Sequence, residues 1–124
     1  MSRYKKDLGD FGEKVAEEYL KNCGCDIICR NFCVRGGEID IIAKDERFLI
    51  FVEVKTRASE KYGYPSEAVN RKKLEHMRRA AEIYLDRNPC DTEVRFDIIE
   101  VYGVIVDGMP QYDKINHIKE IIID

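Results

Sequence analysis

Two neighbouring segments of the chain carry acidic side chains and a lysine among apolar residues. Asp40 lies in the segment 38–43, and Glu53 and Lys55 lie near the end of the segment 48–55. Mg²⁺ binds carboxylate oxygens of this kind and completes its shell with water and substrate phosphate. A lysine beside such an ion can stabilise negative charge that develops on a phosphate. These residue types therefore indicate phosphoryl chemistry with a bound divalent ion.

The turn between the two segments decides whether these side chains meet. A tight turn at Glu46-Arg47 pairs residues whose numbers sum to 93, which places Asp40 opposite Glu53. The same register places Glu38 opposite Lys55, and all four side chains share one face because strand side chains alternate. Directly opposed like charges are destabilising unless a cation bridges them, so we predict a Mg²⁺ or Mn²⁺ site at Asp40 and Glu53. The turn lacks an Asn-Gly or Asp-Gly signal, and a register shifted by one residue is the alternative.

A simpler interpretation is a solvated sheet face on which the acids and the lysine form cross-strand ion pairs. Ile42, Leu49 and Phe51 lie on the same face in this register, which indicates that a helix covers it. Acids and a lysine on a covered face need a compensating partner, because burying an unpaired charge is costly. The pattern therefore favours a functional site over a solvated face.

Hydrophobic periodicity predicts the elements that position these residues. Leu8, Phe11, Val15, Tyr19 and Leu20 recur at helical spacing, and Gly24 follows as a helix stop. We predict a helix over 8–23, a strand over 25–34, a turn over 35–37 and a hairpin of strands 38–43 and 48–55. A long surface loop over 57–65 then leads to Ser66 as a helix N-cap.

The second half of the chain is predicted to contain one helix and at least one strand. The helix covers 67–87 and the strand covers 93–101. Residues 103–106 could extend that strand, and residues 115–123 form either a last strand or a short helix. With 124 residues the chain fits a single α/β domain spanning 1–124.

Composition places the chain among soluble proteins of the cytoplasm. Hydrophobic residues make up 44% and charged residues 36%, and no apolar run approaches the ~18 residues of a membrane span. The basic N-terminus is not followed by the apolar stretch of a secretion signal. We therefore expect no membrane partner.

Five cysteines in such a chain are better interpreted as reduced thiols than as a disulfide framework. Cys23, Cys25, Cys29 and Cys33 crowd together, which raises the alternative of a cysteine-based metal or redox protein. If 25–33 is a strand, however, Cys25 and Cys33 lie ~26 Å apart and cannot share one ion.

The charge distribution points toward a phosphate-bearing partner. The net charge is −3, yet the segment from Lys55 to Arg79 holds eight basic and three acidic residues. Four of its basic residues lie mainly off the apolar stripe of the second helix, namely Arg71, Lys72, Arg78 and Arg79. Such a face can attract DNA, although it can also be merely solvated. The same two interpretations apply to Arg57.

The spacing of the acids resembles a known nuclease motif. Asp40 followed by Glu53-Val54-Lys55 is similar to the PD-(D/E)XK motif, with Ile39 at the position of the nominal proline. Further matches cover most of the chain and resemble the YraN-like family of bacterial proteins: Gly12-Glu13-Lys14-Val15-Ala16, Tyr19-Leu20, Arg30-Asn31, 37–43, 51–57, Ala68-Val69 with Lys72, and Arg95-Phe96-Asp97.

The resemblance implies a restriction-endonuclease-like fold, with a central mixed sheet flanked by helices, related to archaeal Holliday-junction resolvases. In those relatives a helical glutamate joins the strand acids, and Glu13 matches it here. Without the resemblance, Glu13 would be an ordinary acid in the first turns of a helix. The activity that the resemblance implies is metal-dependent cleavage of DNA, with branched or structured DNA among the candidate substrates.

The residues receive these roles in the nuclease hypothesis. Asp40 and Glu53 bind the ion with the Val54 carbonyl as a further ligand, while Glu13 and Lys55 complete the catalytic set. Symmetric cutting of a branched substrate would need a homodimer. The alternative hypothesis is a non-catalytic module that binds nucleic acid or protein and retains the nuclease fold.

Overall fold

A computed structural model describes residues 3–58 and 71–122 of the chain. These residues form an α/β fold in which a mixed sheet lies between two helices, as the sequence predicts. The elements in chain order are α1 (Arg3–Asn22), β1 (Asp26–Val34), β2 (Gly37–Lys44), β3 (Phe48–Ala58), α2 (Arg71–Arg87), β4 (Glu93–Val106) and β5 (Met109–Ile118).

The five strands lie side by side in chain order, from β1 to β5. Only β3 and β4 run parallel, and α2 is on the connection between them, as a parallel crossover requires. The other neighbouring strands are antiparallel. This mixed order is consistent with the nuclease-like fold that the sequence predicts.

Two strands extend further than expected. β3 continues to Ala58 because it pairs with β4 as far as Gly103, so the loop expected from Arg57 cannot begin there. The rest of that loop, the Ser66 cap and residues 67–70 lie outside the described residues. β4 includes residues 103–106, which confirms the open possibility of an extended strand.

The final element is a strand and not a short helix. β5 begins at Met109, six residues earlier than expected, because Asp107 and Gly108 form a tight turn after β4. Both residues have positive φ, at 51° and 77°, which is typical of the turn that joins a two-residue hairpin.

Each helix covers one side of the sheet. Ala16 and Leu20 of α1 pack with Ile41, Val52 and Ile99, and we call this group the α1-side core. The α2-side core consists of Ile39, Ile42, Leu49, Phe51, Met77, Ala80 and Ala81. Within the described residues, neither helix is long and apolar enough to cross a membrane.

The hairpin of β2 and β3 has the predicted register. Its ladder runs from Lys44 opposite Leu49 to Ile41 opposite Val52. The Asp45 side chain fixes the turn, since its Oδ1 accepts hydrogen bonds from the backbone N–H of Arg47 at 2.8 Å and of Phe48 at 2.7 Å. An Asx turn at Asp45 therefore fixes the register, although the turn lacks an Asn-Gly or Asp-Gly sequence.

The alternation of β2 breaks at Asp40. Ile39 packs in the α2-side core and Ile41 in the α1-side core, although a regular strand places residues two apart on the same face. On β1 the residue between the partners of Ile39 and Ile41 is Asn31, which has a positive φ of 51°. Irregularities of this kind re-aim side chains.

Two glycines allow the helices to approach this part of the sheet. A Cβ at Gly12 of α1 would overlap the side chain of Thr56 on β3. A Cβ at Gly37 of β2 would overlap the backbone of α2 at His76. Close approach at these two points brings α1 and α2 to either side of Asp40.

Candidate active site

Glu53 is a buried carboxylate at the centre of the site. Only 1% of the residue is exposed, and its Oε1 atom has no hydrogen-bond partner among the described residues. Burial raises the pKa of Glu53 to about 8, and the neighbouring charge of Asp40 adds to this rise. The two carboxylates can share a hydrogen bond only when one is protonated, so an ionised Glu53 lacks a donor at Oε1.

Asp40 lies where β2 and β3 separate. The ladder ends at Ile41, and the Asp40 Oδ2 atom accepts the backbone N–H of Val54 at 2.8 Å. The N–H and C=O groups of one residue point to the same side of a strand, so the Val54 carbonyl also faces Asp40. The three predicted metal ligands therefore lie at one corner of the sheet.

Lys73 reaches this corner from α2, although the sequence pattern did not predict a role for it. Its Nζ lies 2.8 Å from Glu38 Oε1 and 3.3 Å from Glu53 Oε2. Burial acts to lower the pKa of Lys73, but the ion pairs with Glu38 and Glu53 outweigh burial and raise it. The signal for Lys73 is its position one turn before Met77, on the buried stripe of α2.

The predicted geometry of Glu38 differs from the structure. Glu38 forms its ion pair with Lys73, and the ladder ends before the expected pairing with Lys55. Asp40 lines a groove beneath α1, whereas Glu38 and Glu53 both reach α2 through Lys73. The expectation that all four side chains share one face is therefore wrong for Asp40, because the strand alternation breaks there, although Asp40 still lies close enough to act on Glu53.

Lys55 is half-buried on β3, two residues beyond Glu53. It lies beside Glu100 in the parallel register of β3 and β4. Across residues 3–58 and 71–122 no ion pair involves Lys55, since Glu100 pairs with Arg57 instead. The catalytic role of Lys55 stays a prediction.

Glu13 faces the site from α1 across a groove of about 360 Å³. Burial raises the pKa of Glu13, and the charges of Asp40, Asp10 and Glu38 add to the rise. Within the described part of the chain, no three His, Cys, Asp or Glu side chains converge closely enough to hold an ion together. Mg²⁺ needs only one or two protein carboxylates, so Asp40 and Glu53 would suffice for such an ion without Glu13.

Two basic side chains also line this groove. Arg30 of β1 is held there by Glu17 of α1, whose Oε2 accepts the guanidinium Nε–H at 2.9 Å. Lys14 also lines the groove. The sequence pattern predicts no site role for Arg30 or Lys14. Arg30 and Glu17 belong to different elements, so the pattern does not indicate that they meet.

Arg57 is engaged in a half-buried network and is not presented to solvent. Its Nε lies 2.9 Å from Glu100 Oε2, and both side chains are largely covered. Asn116 of β5 donates to the other oxygen of Glu100 at 2.8 Å. These contacts favour a role for Arg57 in joining β3 to β4.

Of the five basic residues predicted to contact DNA, the four on α2 are all exposed. Arg79 donates through Nε to the Arg35 carbonyl at 2.8 Å and so braces the turn between β1 and β2. Arg71 and Arg78 each lie within 4.0 Å of a glutamate one turn later on the helix. Lys72 forms no such pair within the described residues.

Among the described residues the cysteines do not gather into a metal-binding group, and only Cys33 lies near this corner, opposite Glu38 in the ladder of β1 and β2. All five are free, and only Cys25 is buried. Cys25 follows α1 and Cys33 lies near the far end of β1, in agreement with the separation expected for a strand. Burial raises the pKa of the Cys25 thiol, which lowers its reactivity.

Comparison with known proteins identifies relatives of the chain. Residues 12–101 match the family described as "Uncharacterised protein family UPF0102". A UPF0102 protein of Caldicellulosiruptor saccharolyticus is 48% identical over 99 residues, covering 79% of this chain and 84% of that protein. One from Clostridium botulinum strain Hall is 49% identical over 98 residues, covering 77% of this chain and 80% of the relative. One from Caldicellulosiruptor bescii is 44% identical over 117 residues, covering 93% and 96%.

Proposed function

The chain belongs to the UPF0102 family, and we propose that it is a metal-dependent nuclease that hydrolyses phosphodiester bonds in DNA. Membership confirms the family resemblance predicted from the sequence. The names of the relatives state no activity, so the proposal rests on the site. Branched or structured DNA is the substrate class that we favour, by analogy with the resolvases that the sequence resembles.

The observation that carries the proposal is the unpartnered Oε1 atom of Glu53. A buried carboxylate oxygen without a hydrogen-bond partner is unfavourable, and a second carboxylate, Asp40, lies beside Glu53. A divalent cation between the two would neutralise both charges and remove the repulsion. The donor set of carboxylate oxygens and a carbonyl fits Mg²⁺ or Mn²⁺.

Each residue of the site has a defined task in this proposal. Asp40, Glu53 and the Val54 carbonyl hold the ion, which when bound polarises the phosphate and acidifies a water molecule. Lys55 neutralises charge that develops on the phosphate. Glu13 has a raised pKa, so it keeps its proton to a higher pH than an ordinary glutamate does. It can therefore exchange that proton with water in the groove.

The exposed basic residues of α2 would hold the DNA backbone. Phosphate contacts carry no base information, so Arg71, Lys72 and Arg78 would contribute affinity without sequence preference. Arg79 already braces a turn, and Arg57 is paired with Glu100, so we assign both a smaller share. A homodimer would place two such sites on one branched substrate.

Cleavage assays test this function directly. Purified protein with Mg²⁺ or Mn²⁺ is incubated with single-stranded, duplex and four-way-branched DNA, beside Asp40→Asn and the exposed control Asp91→Asn. We expect cleavage by the wild type and the control, with branched DNA cut fastest, and none by Asp40→Asn. Cleavage that survives in Asp40→Asn, or is absent for every substrate, would contradict the proposal.

One observation favours the second candidate, a binding module without catalysis. The Lys73 ammonium already supplies a positive charge to Glu38 and Glu53, so the fold has an internal substitute for a metal ion. This candidate predicts DNA binding that is the same in EDTA and in Mg²⁺, with no cleavage in either.

A further inference from the structure

Lys73 lies beside the proposed metal site and shares a carboxylate with it. Its ammonium contacts Glu53 Oε2 at 3.3 Å, and Glu53 is one of the two carboxylates that the proposed function assigns to the ion. A divalent ion on the same carboxylate would repel the Lys73 ammonium, because like charges in a partly buried site are only weakly screened. Binding of the ion would therefore weaken the contact between Lys73 and Glu53.

We propose that Lys73 is a resident counter-ion that the site exchanges for the divalent ion, and that the released ammonium becomes a substrate-phosphate contact. This inference rests on the proposed function, because it requires an ion at Asp40 and Glu53.

The surroundings of Lys73 allow the exchange. Its side chain is 29% exposed, and a lysine side chain has four flexible carbons. Glu38, its other partner, is half exposed, so solvent screens the ion pair between Lys73 and Glu38. Rotation of the flexible side chain can therefore turn the ammonium away from Glu53.

The position of Lys73 on α2 determines what the released ammonium can contact. It follows Arg71 and Lys72 directly, at the described start of the helix. A substrate phosphate that binds beside Glu53 and these basic residues lies within the span of its side chain. Without the ion, Glu53 and Glu38 neutralise this charge. With the ion bound, the site presents one more cation to DNA.

Lysine acylation followed by peptide mass spectrometry measures the exchange. Wild-type protein is labelled with limiting acetic anhydride in EDTA and in Mn²⁺, and the rates at Lys73 and at its exposed neighbour Lys72 are compared. We expect Lys73 to be labelled more slowly than Lys72 in EDTA and severalfold faster when Mn²⁺ is present. Lys72 should not change, and neither residue should change in Asp40→Asn.

Calorimetric titration of Mn²⁺ on the same samples separates two kinds of failure. If Mn²⁺ binds and the labelling of Lys73 is unchanged, the exchange is wrong while the proposed function stands. If no Mn²⁺ binds to the wild type, both are wrong. A rise at Lys73 that persists in Asp40→Asn would also overturn the exchange, because it would not depend on the site.

The salt dependence of DNA binding tests the second half of the proposal. Lys73→Met and the matched control Lys72→Met are compared in EDTA and in Ca²⁺, an oxygen-binding ion used here in place of Mg²⁺. Lys73→Met should flatten the salt slope on duplex DNA by up to ~0.9 in Ca²⁺ and leave it unchanged in EDTA. Lys72→Met should flatten it in both, and the same pattern for Lys73→Met would refute the released contact.

Discussion

Two carboxylates are buried on neighbouring strands of the same sheet, and their surroundings are opposite. Glu53 on β3 is 1% exposed and Asp97 on β4 is fully buried. Arg95 donates to both oxygens of Asp97 at 2.9 Å, His117 lies 2.7 Å from its Oδ2 atom, and the backbone N–H of Glu120 donates to Oδ1 at 3.2 Å. Glu53 has one ion pair and, among the described residues, an oxygen without any partner.

The pKa values of the two acids move in opposite directions for this reason. Burial alone would raise the pKa of Asp97, but the hydrogen bonds from His117, Arg95 and Glu120 lower it. Burial raises that of Glu53, and Asp40 adds to the rise. The two pKa values therefore shift in opposite directions at equal burial. The number of hydrogen-bond donors around each carboxylate decides which acid is structural and which is available to a ligand.

Asp97 has a clear structural purpose. His117 of β5 contacts Asp97 through Nε2 and the Tyr19 hydroxyl of α1 through Nδ1, at 2.9 Å. The network thus joins β4, β5 and α1 on the side of the sheet opposite to α2. Within the described residues, Glu53 makes no comparable connection between elements apart from its contact with Lys73.

The largest expected effect is the loss of stability in Asp97→Asn. This change leaves the Arg95 guanidinium without its charge partner in a largely buried position. Breaking a buried pair by removing one partner costs about 3–5 kcal/mol of unfolding free energy. Urea unfolding measures the loss, and Glu53→Gln in EDTA should lose far less. Equal losses in the two variants would erase the distinction between a structural and a functional acid.

Lys55→Met should reduce cleavage by about 10²–10³-fold. The substitution keeps an unbranched stem and removes the charge near the reacting phosphate, whereas Mn²⁺ binding at Asp40 and Glu53 should remain. Single-turnover cleavage and calorimetric Mn²⁺ titration measure the two effects separately. A variant that loses Mn²⁺ binding as well would place Lys55 among the residues that shape the metal site.

The pH dependence of stability should differ between the wild type and Glu53→Gln. The pKa of Glu53 rises from 4.5 to about 8 on folding, so between these values the folded protein binds more protons than the unfolded chain. The stability of the metal-free wild type should therefore fall by roughly 2–4 kcal/mol as the pH rises from 4.5 to 8. Unfolding in EDTA across this range should show a flatter curve for Glu53→Gln.

Added Mn²⁺ provides the control for this pH effect. The bound ion stabilises the charged form of Glu53, so the wild-type curve should also flatten in Mn²⁺. Asp97 contributes in the opposite sense, because its pKa is lower in the folded protein than in the unfolded chain. Its contribution to stability is fully present above the unfolded pKa and is lost as the pH falls through the folded pKa. A wild-type curve that is flat in EDTA would show that folding does not raise the pKa of Glu53.

The smallest expected effect is on DNA affinity. Replacing Lys72 and Arg78 together by Ala should weaken binding severalfold and flatten the salt slope on duplex DNA by up to ~0.9 for each phosphate that is no longer neutralised. Lys44→Ala, at the far end of β2, is the control and should bind as the wild type does. An unchanged slope in the double variant would place the DNA away from α2.

The sequence was sufficient for the hairpin that carries the two metal-site acids. Period-two alternation and a tight turn determine its register, and the Asp45 side chain enforces that turn. The same reasoning could not find the break at Asp40, which coincides with the positive φ of Asn31 at the facing position of the neighbouring strand. The local sequence pattern therefore predicts which residues lie opposite each other, and pairing between strands decides which way their side chains point.

Two further features have signals in the sequence itself. Asp107-Gly108 is a hairpin turn signal. It predicts that the segment after it is a strand, β5, whereas the pattern of residues 115–123 alone left strand and helix open. Lys73 interrupts the apolar stripe of α2 that continues with Met77 and Ala80, and a lysine on such a stripe needs an acidic partner. The contact of Arg30 with Glu17 has no such signal, because it joins two elements through residue types that are usually exposed.

Differential scanning calorimetry with and without Mn²⁺ tests most directly whether Asp40 and Glu53 form one divalent-ion site. If they do, the wild type should gain about 2.7 kcal/mol at an ion concentration one hundred times the dissociation constant. Asp40→Asn and Glu53→Gln should gain little under the same conditions, because each removes one carboxylate from the pair. Equal stabilisation of all three proteins by Mn²⁺ would contradict the shared site.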